Sequence, residues 1–291
     1  MTLSILIPTY NYNARVLVEE LVERIYAEGV NAEVIVGDDG STEPMNWLEE
    51  LEGREGVRVL RFNENVGRAR HLNRMAEQAE GEWMLIIDCD AHLESDFSLT
   101  AYIQAGLRAP VVCGGLRTPA VNPCPGATLR YKYECAADRK RSAAERNRHP
   151  YLQLSTFSLL IRHDVFMAIR FDENCLEYGY EDALFGVELQ KRGIPILHID
   201  NPLVHMGIEP NDVFLRKSET ALRTLKRLNG RMQGNSHVEN VANRLQRLHV
   251  AWAVRGLYRL FYQPMRGHLL GKHPSLTVFS FYKLGYYLSC F

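Results

Sequence analysis

The residues best suited to chemistry in this chain are acids placed where apolar runs stop. Trp83-Met84-Leu85-Ile86-Ile87 leads straight into Asp88-Cys89-Asp90. A carboxylate is costly inside a core, so two acids at the end of a buried strand face a cleft and can hold a divalent cation there. The plain alternative is a capped strand end. Further along, Glu177-Tyr178-Gly179-Tyr180 precedes Glu181-Asp182 at the start of an amphipathic stretch. Acids there favour the positive end of a helix, and in a cleft the same carboxylate can accept a proton from an attacking hydroxyl. His205, in Pro202-Leu203-Val204-His205-Met206-Gly207, follows a strand-like run. A lone histidine is usually structural, but beside Asp90 it would complete a mixed nitrogen and oxygen site suited to manganese, and less well to magnesium.

These groups become one site only if the fold brings them to a common edge. The first half of the chain alternates apolar runs with amphipathic stretches, the pattern of a parallel sheet with crossover helices. Strands are expected at Leu3 to Ile7, Ala32 to Val36, Val57 to Phe62 and Trp83 to Ile87, with helices at Val16 to Ala27, Asn46 to Leu51 and Gly67 to Ala79. Parallel strands all end on one side of the sheet, so Pro8-Thr9, Asp38-Asp39 and Asp88-Asp90 should share that side. Further strands are expected at Val111 to Leu116, Thr156 to Ile161 and Ile196 to Ile199, and helices at His163 to Ala168, Glu181 to Arg192, Phe214 to Leu228 and Val238 to Tyr262. Between them, Arg139 to Arg148 is strongly basic, either a solvated face or a clamp on an anionic ligand.

Bulk composition narrows the classes. The 291 residues can bury one large domain, and 34 Lys and Arg against 35 Asp and Glu give no electrostatic reason to expect nucleic acid. The six cysteines are scattered without a C-x-x-C pair, which fits a reducing, cytoplasmic setting rather than a zinc module or a disulfide frame. No signal peptide and no membrane-spanning run is expected.

The order Ile7-Pro8-Thr9-Tyr10-Asn11, Asp38-Asp39-Gly40-Ser41, Asn65-Val66-Gly67 with Ala69-Arg70, Asp88-Cys89-Asp90, Gly179-Tyr180-Glu181-Asp182 and His205-Met206-Gly207 resembles the family 2 glycosyltransferases over about residues 3 to 210. The resemblance implies a GT-A fold, a Rossmann-like, mostly parallel sheet flanked by helices. Residues 1–110 would form the nucleotide-binding half and 111–210 the acceptor-binding half, with a helical C-terminal extension over 211–291. It implies inverting transfer of one sugar from a nucleotide-sugar, UDP by family frequency, to a hydroxyl on a cell-surface polysaccharide or lipid-linked glycan. Residue by residue, Pro8, Thr9 and Asp39 resemble the nucleoside-binding positions. Arg70 resembles the arginine near base and diphosphate, with Arg68 close enough to compete. Asp88 resembles the ribose or sugar contact, Asp90 and His205 the ligands of Mn2+ or Mg2+, Asp182 the catalytic base, and Glu181 a contact to acceptor or sugar hydroxyls. His71 stands where the family often has Asn, so local hydrogen bonding should differ there. The Gln-x-x-Arg-Trp signature of processive synthases is absent.

Two other classes compete. A nucleotide- or glycan-binding module without turnover would be expected to lose Asp90, Asp182 or His205. A nucleotidyltransferase would carry a glycine-rich phosphate loop with a basic residue after the first strand, which Pro8-Thr9-Tyr10-Asn11 does not offer. The aromatic stretch Leu276 to Phe291 should pack on the catalytic domain; the competing reading is peripheral contact with the inner face of a membrane, helped by Arg255, Arg259, Arg266 and Lys272.

Overall fold

The structure, a computed structural model, describes residues 1–174, 179–232 and 234–290. Glu177 and Tyr178 of the motif before Asp182, and Cys175, lie outside the described residues. Strands β1 (Leu3–Thr9), β2 (Ala32–Asp38), β3 (Val57–Arg61) and β4 (Trp83–Ile87) alternate with helices α1 (Arg15–Glu28), α2 (Trp47–Leu51) and α3 (Arg68–Gln78). After them come β5 (Ala91–His92), α4 (Leu99–Gly106), β6 (Val111–Cys113), β7 (Leu116–Arg117), α5 (Thr128–Asp138), α6 (Ala143–Arg146), β8 (Ser158–Arg162) and α7 (His163–Ile169). The chain continues through α8 (Glu181–Lys191), β9 (Ile196–His198), β10 (Leu203–His205), α9 (Asn211–Arg227), α10 (His237–Arg247), α11 (Ala251–Leu270) and α12 (Leu276–Ser289).

Among the described residues the main sheet has seven strands in the order β3-β2-β1-β4-β8-β6-β9. Only β8 runs against its neighbours, pairing antiparallel with both β4 and β6. β1 and β4 are buried along their whole length because helices cover both faces of the sheet. On one side Leu17, Val18 and Leu21 of α1 and Tyr102 of α4 pack against Ile5, Ile7 and Leu85. On the other, Leu72 and Met75 of α3, Phe166 of α7 and Phe185 of α8 pack against Leu6, Ile35 and Ile86. Alternate residues of each strand thus serve opposite layers, as the period of a strand requires.

Three boundaries depart from the sequence expectation. The run Val111 to Leu116 is broken at Gly114-Gly115, and Leu116–Arg117 joins a second sheet of order β5-β10-β7. That small sheet carries His205 to the end of β4: β10 pairs antiparallel with β5, placing His205 opposite Ala91. The expected helix Val238 to Tyr262 is two helices. His249 adopts φ 57°, and the amide of Val250 donates back to the carbonyl of Leu245, a left-handed stop that ends α10 before α11 begins. α4 and α5 were not expected at all. α5 buries only Leu129 and Glu134, so it lacks the apolar stripe by which a helix is read from sequence.

The basic segment 139–148 is not a wholly solvated face: its Arg141 lines the cavity at the carboxyl edge of the sheet, while Arg146 turns inward. Arg146 is buried and donates to the carbonyls of Cys113, Gly114 and Ile199, tying β6 to β9. It also donates to Nδ1 of His198 at 2.9 Å. Burial, then the Arg146 charge, hold His198 down at about 4, so the ring is neutral and can accept that bond.

The aromatic C-terminus packs inward. Phe279 and Tyr282 of α12 are fully buried against Leu129, Phe214 and Tyr258. Gly285 lets α12 approach α11: a Cβ there would lie 2.5 Å from atoms of the Tyr258 ring. Gly285→Ala should therefore cost about 1–3 kcal/mol of stability, as overpacking typically does. Chemical denaturation, with Gly256→Ala on the open side of α11 as the control, measures it.

Candidate active site

A cavity of about 550 Å³ opens where the carboxyl ends of β4 and β10 meet the start of α8. Asp88, Asp90, Glu181, Asp182 and His205 all line it, although they come from segments spread over more than a hundred positions of sequence. Gly179 (φ 107°) and Tyr180 (φ 70°) turn the chain so that α8 starts with Glu181 and Asp182. A non-glycine residue in the left-handed region is uncommon and is held there by its surroundings. Tyr180 is partly buried against the cluster of α9, α10 and α12.

Asp182 is held at both oxygens. Oδ1 accepts the hydroxyl of Thr156 at 2.6 Å and Oδ2 accepts the Thr156 amide at 3.0 Å. The same hydroxyl oxygen accepts from Nη2 of Arg68 at 2.8 Å, and that nitrogen also bonds Asp88 at 2.5 Å. Burial works against the Arg68 charge, but Asp88, Asp182 and Glu181 around it raise its pKa. Burial pushes Asp88 up, Arg68 pulls it back, and Asp90 and Asp182 add to the rise, leaving it at about 6. Burial, then the neighbouring charge of Asp182, also raises Glu181.

The second half of the site is the pair Asp90 and His205. Nε2 of His205 lies 3.2 Å from Oδ2 of Asp90, and Nδ1 lies 3.0 Å from the carboxylate of Glu134, which α5 supplies. Glu134 is buried and ion-paired at 2.5 Å with Arg130 one turn earlier. Burial opposes the His205 charge, but its bonds to Asp90 and Glu134 lift it to about 9. Asp90 and Glu134 are in turn held below their ordinary values, burial notwithstanding, chiefly by the His205 hydrogen bond. Gly207 closes against the pair: a Cβ there would fall 1.8 Å from Oδ2 of Asp90 and 3.0 Å from Nε2 of His205.

A divalent cation fits this arrangement by taking the place of the Nε2 proton of His205, since only a neutral imidazole ligates a metal. Two neighbouring ligands of an octahedral ion with bonds near 2.1 Å sit about 3 Å apart, close to the observed separation of Asp90 and His205. Glu134 on the far ring nitrogen is the carboxylate partner that fixes the ring of a metal-binding histidine. Among the described residues no group of three or more His, Cys, Asp or Glu side chains is arranged to hold an ion. The protein side thus offers two donors, as in sites where phosphates and water supply the rest. Replacing Glu134 by Gln should weaken Mn2+ affinity about 10- to 100-fold, read by calorimetric titration in the presence of a nucleoside diphosphate.

The other expected residues lie off the cavity. Pro8 and Thr9 are buried at the end of β1, with the Thr9 hydroxyl donating to the Tyr12 carbonyl. Asp39 is adjacent, its amide bonded to the Thr9 carbonyl, and its two oxygens accept the amides of Val66 and Gly67 ahead of α3. His71 donates from Nε2 to the Gly37 carbonyl, while its Nδ1 lies 3.5 Å from Asp39. Arg70 is paired with Glu173 at 2.9 Å and does not line the cavity; Arg68 does. Sequence reasoning missed Glu134, Arg130 and Thr156 altogether. It also missed Tyr133, Phe214, Lys217 and Phe279, which wall the cavity from α5, α9 and α12.

A mostly parallel sheet with one reversed strand, and an acid pair at the end of β4 facing a histidine from a small second sheet, define an α/β protein of the GT-A type. Residues 4–172, more than half of the chain, match the family described as Glycosyl transferase family 2, and the chain belongs to that family. Dolichol-phosphate mannosyltransferase of Pyrococcus furiosus is 34% identical over 94 residues, covering 31% of this chain and 26% of that protein. The chain thus spans about a quarter of that relative's length in the match. Among solved structures, S. aureus TarS superposes with a TM-score of 0.55 at 17% identity, over 97% of this chain and 54% of TarS. A mannosyltransferase of Pyrobaculum calidifontis, solved with GDP-Man and Mn2+, gives 0.55 at 14% identity, over 98% of this chain and 84% of that one. At these identities the likeness is one of fold.

Proposed function

We propose that the protein is an inverting glycosyltransferase that moves one sugar from a nucleotide-sugar to a hydroxyl of a polysaccharide or lipid-linked glycan, with Asp182 as the base. The observation that carries the reading is the single cavity lined by Asp182 and by the Asp90–His205 pair. Residues 1–110 form the donor half, 111–210 the acceptor half, and 211–291 a helical extension whose Phe214, Lys217 and Phe279 help wall the cavity.

The acceptor hydroxyl attacks the anomeric carbon, the bond from that carbon to the diphosphate breaks, and the electron pair leaves with the nucleoside diphosphate. The proton passes to Asp182, whose two bonds from Thr156 hold its carboxylate in one orientation. Attack and departure on opposite faces invert the centre without a covalent intermediate. Asp90 and His205 would hold Mn2+ or Mg2+, which supplies electrostatic stabilisation of the charge on the departing diphosphate. Arg68 adds a positive charge within the same cavity, and Asp88 contacts ribose or sugar. Glu181, on the same turn as Asp182, serves acceptor or sugar hydroxyls. Pro8, Thr9 and Asp39 bind the nucleoside at the adjoining end of β1 and β2.

The nucleoside of the donor is read as uridine on family frequency, with guanosine and thymidine as the alternatives. One fold neighbour was solved with UDP and another with GDP-Man and Mn2+, and neither likeness decides between them. Thermal stabilisation by UDP and by GDP, each with and without Mn2+, should show metal-dependent binding of one of them. A panel of nucleotide-sugars screened for donor hydrolysis identifies the sugar. Stabilisation without hydrolysis or transfer from any donor would favour a binding module instead.

A further inference from the structure

Burial of α12 leaves a different surface uncovered on the C-terminal helices. Trp252, Leu257, Leu260 and Phe261 of α11 are 70%, 49%, 72% and 48% exposed. Leu257, Phe261 and Pro264 form an apolar groove with Val278 and Phe281 of α12. At roughly 100° per residue, Leu257, Leu260, Phe261 and Pro264 make one band along α11. Arg255, Arg259 and Arg266 make a stripe on the roughly opposite side of the helix, with Trp252 at its edge nearest the band. Among the described residues none of these three arginines pairs with a carboxylate. From Asn240 to Cys290 the chain has no Asp or Glu at all, while seven Lys and Arg fall within it.

We propose that α11 docks on the surface of an anionic lipid bilayer, lying in the headgroup plane with its apolar band turned into the bilayer and its arginines, on the opposite side, among the headgroup phosphates. An apolar band with a basic stripe on the opposite side of the same helix is the amphipathic pattern of an interfacial helix. An acid-free segment that carries seven basic residues gains from the negative potential of such a membrane. A second copy of the chain is the poorer occupant, because it would set the same basic surface against itself. No helix among the described residues is long and apolar enough to cross a membrane, so the contact is one of lying on the bilayer. α12 links this face to the site: Phe279 and Lys283 line the catalytic cavity while Val278 and Phe281 line the groove. If the glycosyl-transfer reading holds, the cavity stands one helix from the lipid, where a lipid-linked acceptor would be presented.

Flotation with vesicles of phosphatidylcholine alone, and with vesicles containing about a third phosphatidylglycerol, tests the proposal. The protein should float with the anionic vesicles, several-fold less with the neutral ones, and less again at high salt. The pair Leu260→Glu and Phe261→Glu, and separately the pair Arg255→Glu and Arg259→Glu, should each lower binding at least about tenfold. Trp47 and Trp83 are buried, so a blue shift of tryptophan emission on adding anionic vesicles reports Trp252. None of the substituted residues lines the catalytic cavity, so donor hydrolysis in solution should stay at the wild-type rate, separating this proposal from the functional one. Absence of flotation together with an unmoved tryptophan spectrum would overturn it. So would concentration-dependent dimerisation abolished by Leu260→Glu, which would make the face a contact between copies.

Discussion

Replacing Asp182 by Asn is expected to lower kcat for sugar transfer by about 10²- to 10⁴-fold while leaving the KM for the donor within a few-fold of wild type. Asn cannot take the acceptor proton, but it can keep the local bonding. Its carbonyl oxygen can accept the Thr156 amide, and its amide can donate to the Thr156 hydroxyl oxygen, which already accepts from Arg68. The melting temperature should therefore stay close to wild type, so lost activity would report lost proton transfer. Asp182→Ala leaves the Thr156 amide without that partner and should be less stable as well as inactive. A kcat within threefold of wild type for Asp182→Asn would remove Asp182 from the role of base.

The second large effect concerns a residue with no side chain. Gly207→Ala would place a Cβ 1.8 Å from Oδ2 of Asp90, a contact that no side-chain adjustment at the glycine itself can relieve. The Asp90 carboxyl must swing away or the turn after β10 must shift, and either separates Asp90 from His205. The expected result is a fall of about 10²- to 10³-fold in kcat, the scale of losing one preorganised electrostatic contact to a developing negative charge. It should match Asp90→Asn, and the two changes should not add, since both break the same pair. Transfer measured across a Mn2+ titration checks this. Wild-type activity in Gly207→Ala, or wild-type activity retained after chelation, would show that the pair holds no ion needed for the reaction.

Much of the fold was legible in the chain because its signals are local. Strands buried on both faces read as unbroken apolar runs, and the helices between them show apolar spacing on one face, so the order of β1 through β4 followed from pattern alone. Turn chemistry marked the ends: Gly37 to Ser41 closes β2, and Gly193 follows α8 with φ 64°. The region from Leu99 to Arg146 was harder for the same reason. α5 turns a charged residue inward rather than an apolar stripe, and Arg146 is buried on carbonyls. A basic run looks the same in sequence whether water or carbonyl oxygens satisfy it.

By itself the sequence determined that acids would gather at one edge, since parallel strands leave their carboxyl ends together and Asp88 and Asp90 close one of them. Tertiary structure decided which side chains complete the site. Arg68 and Arg70 lie two residues apart on one helix, roughly 200° apart around its axis, so only one can face a given cavity, and the packing of α3 chose Arg68. Glu134 meets His205 across 71 positions, and Thr156 meets Asp182 across 26. Contacts between distant segments leave no periodic trace along the chain, because each depends on where a whole element settles on the sheet.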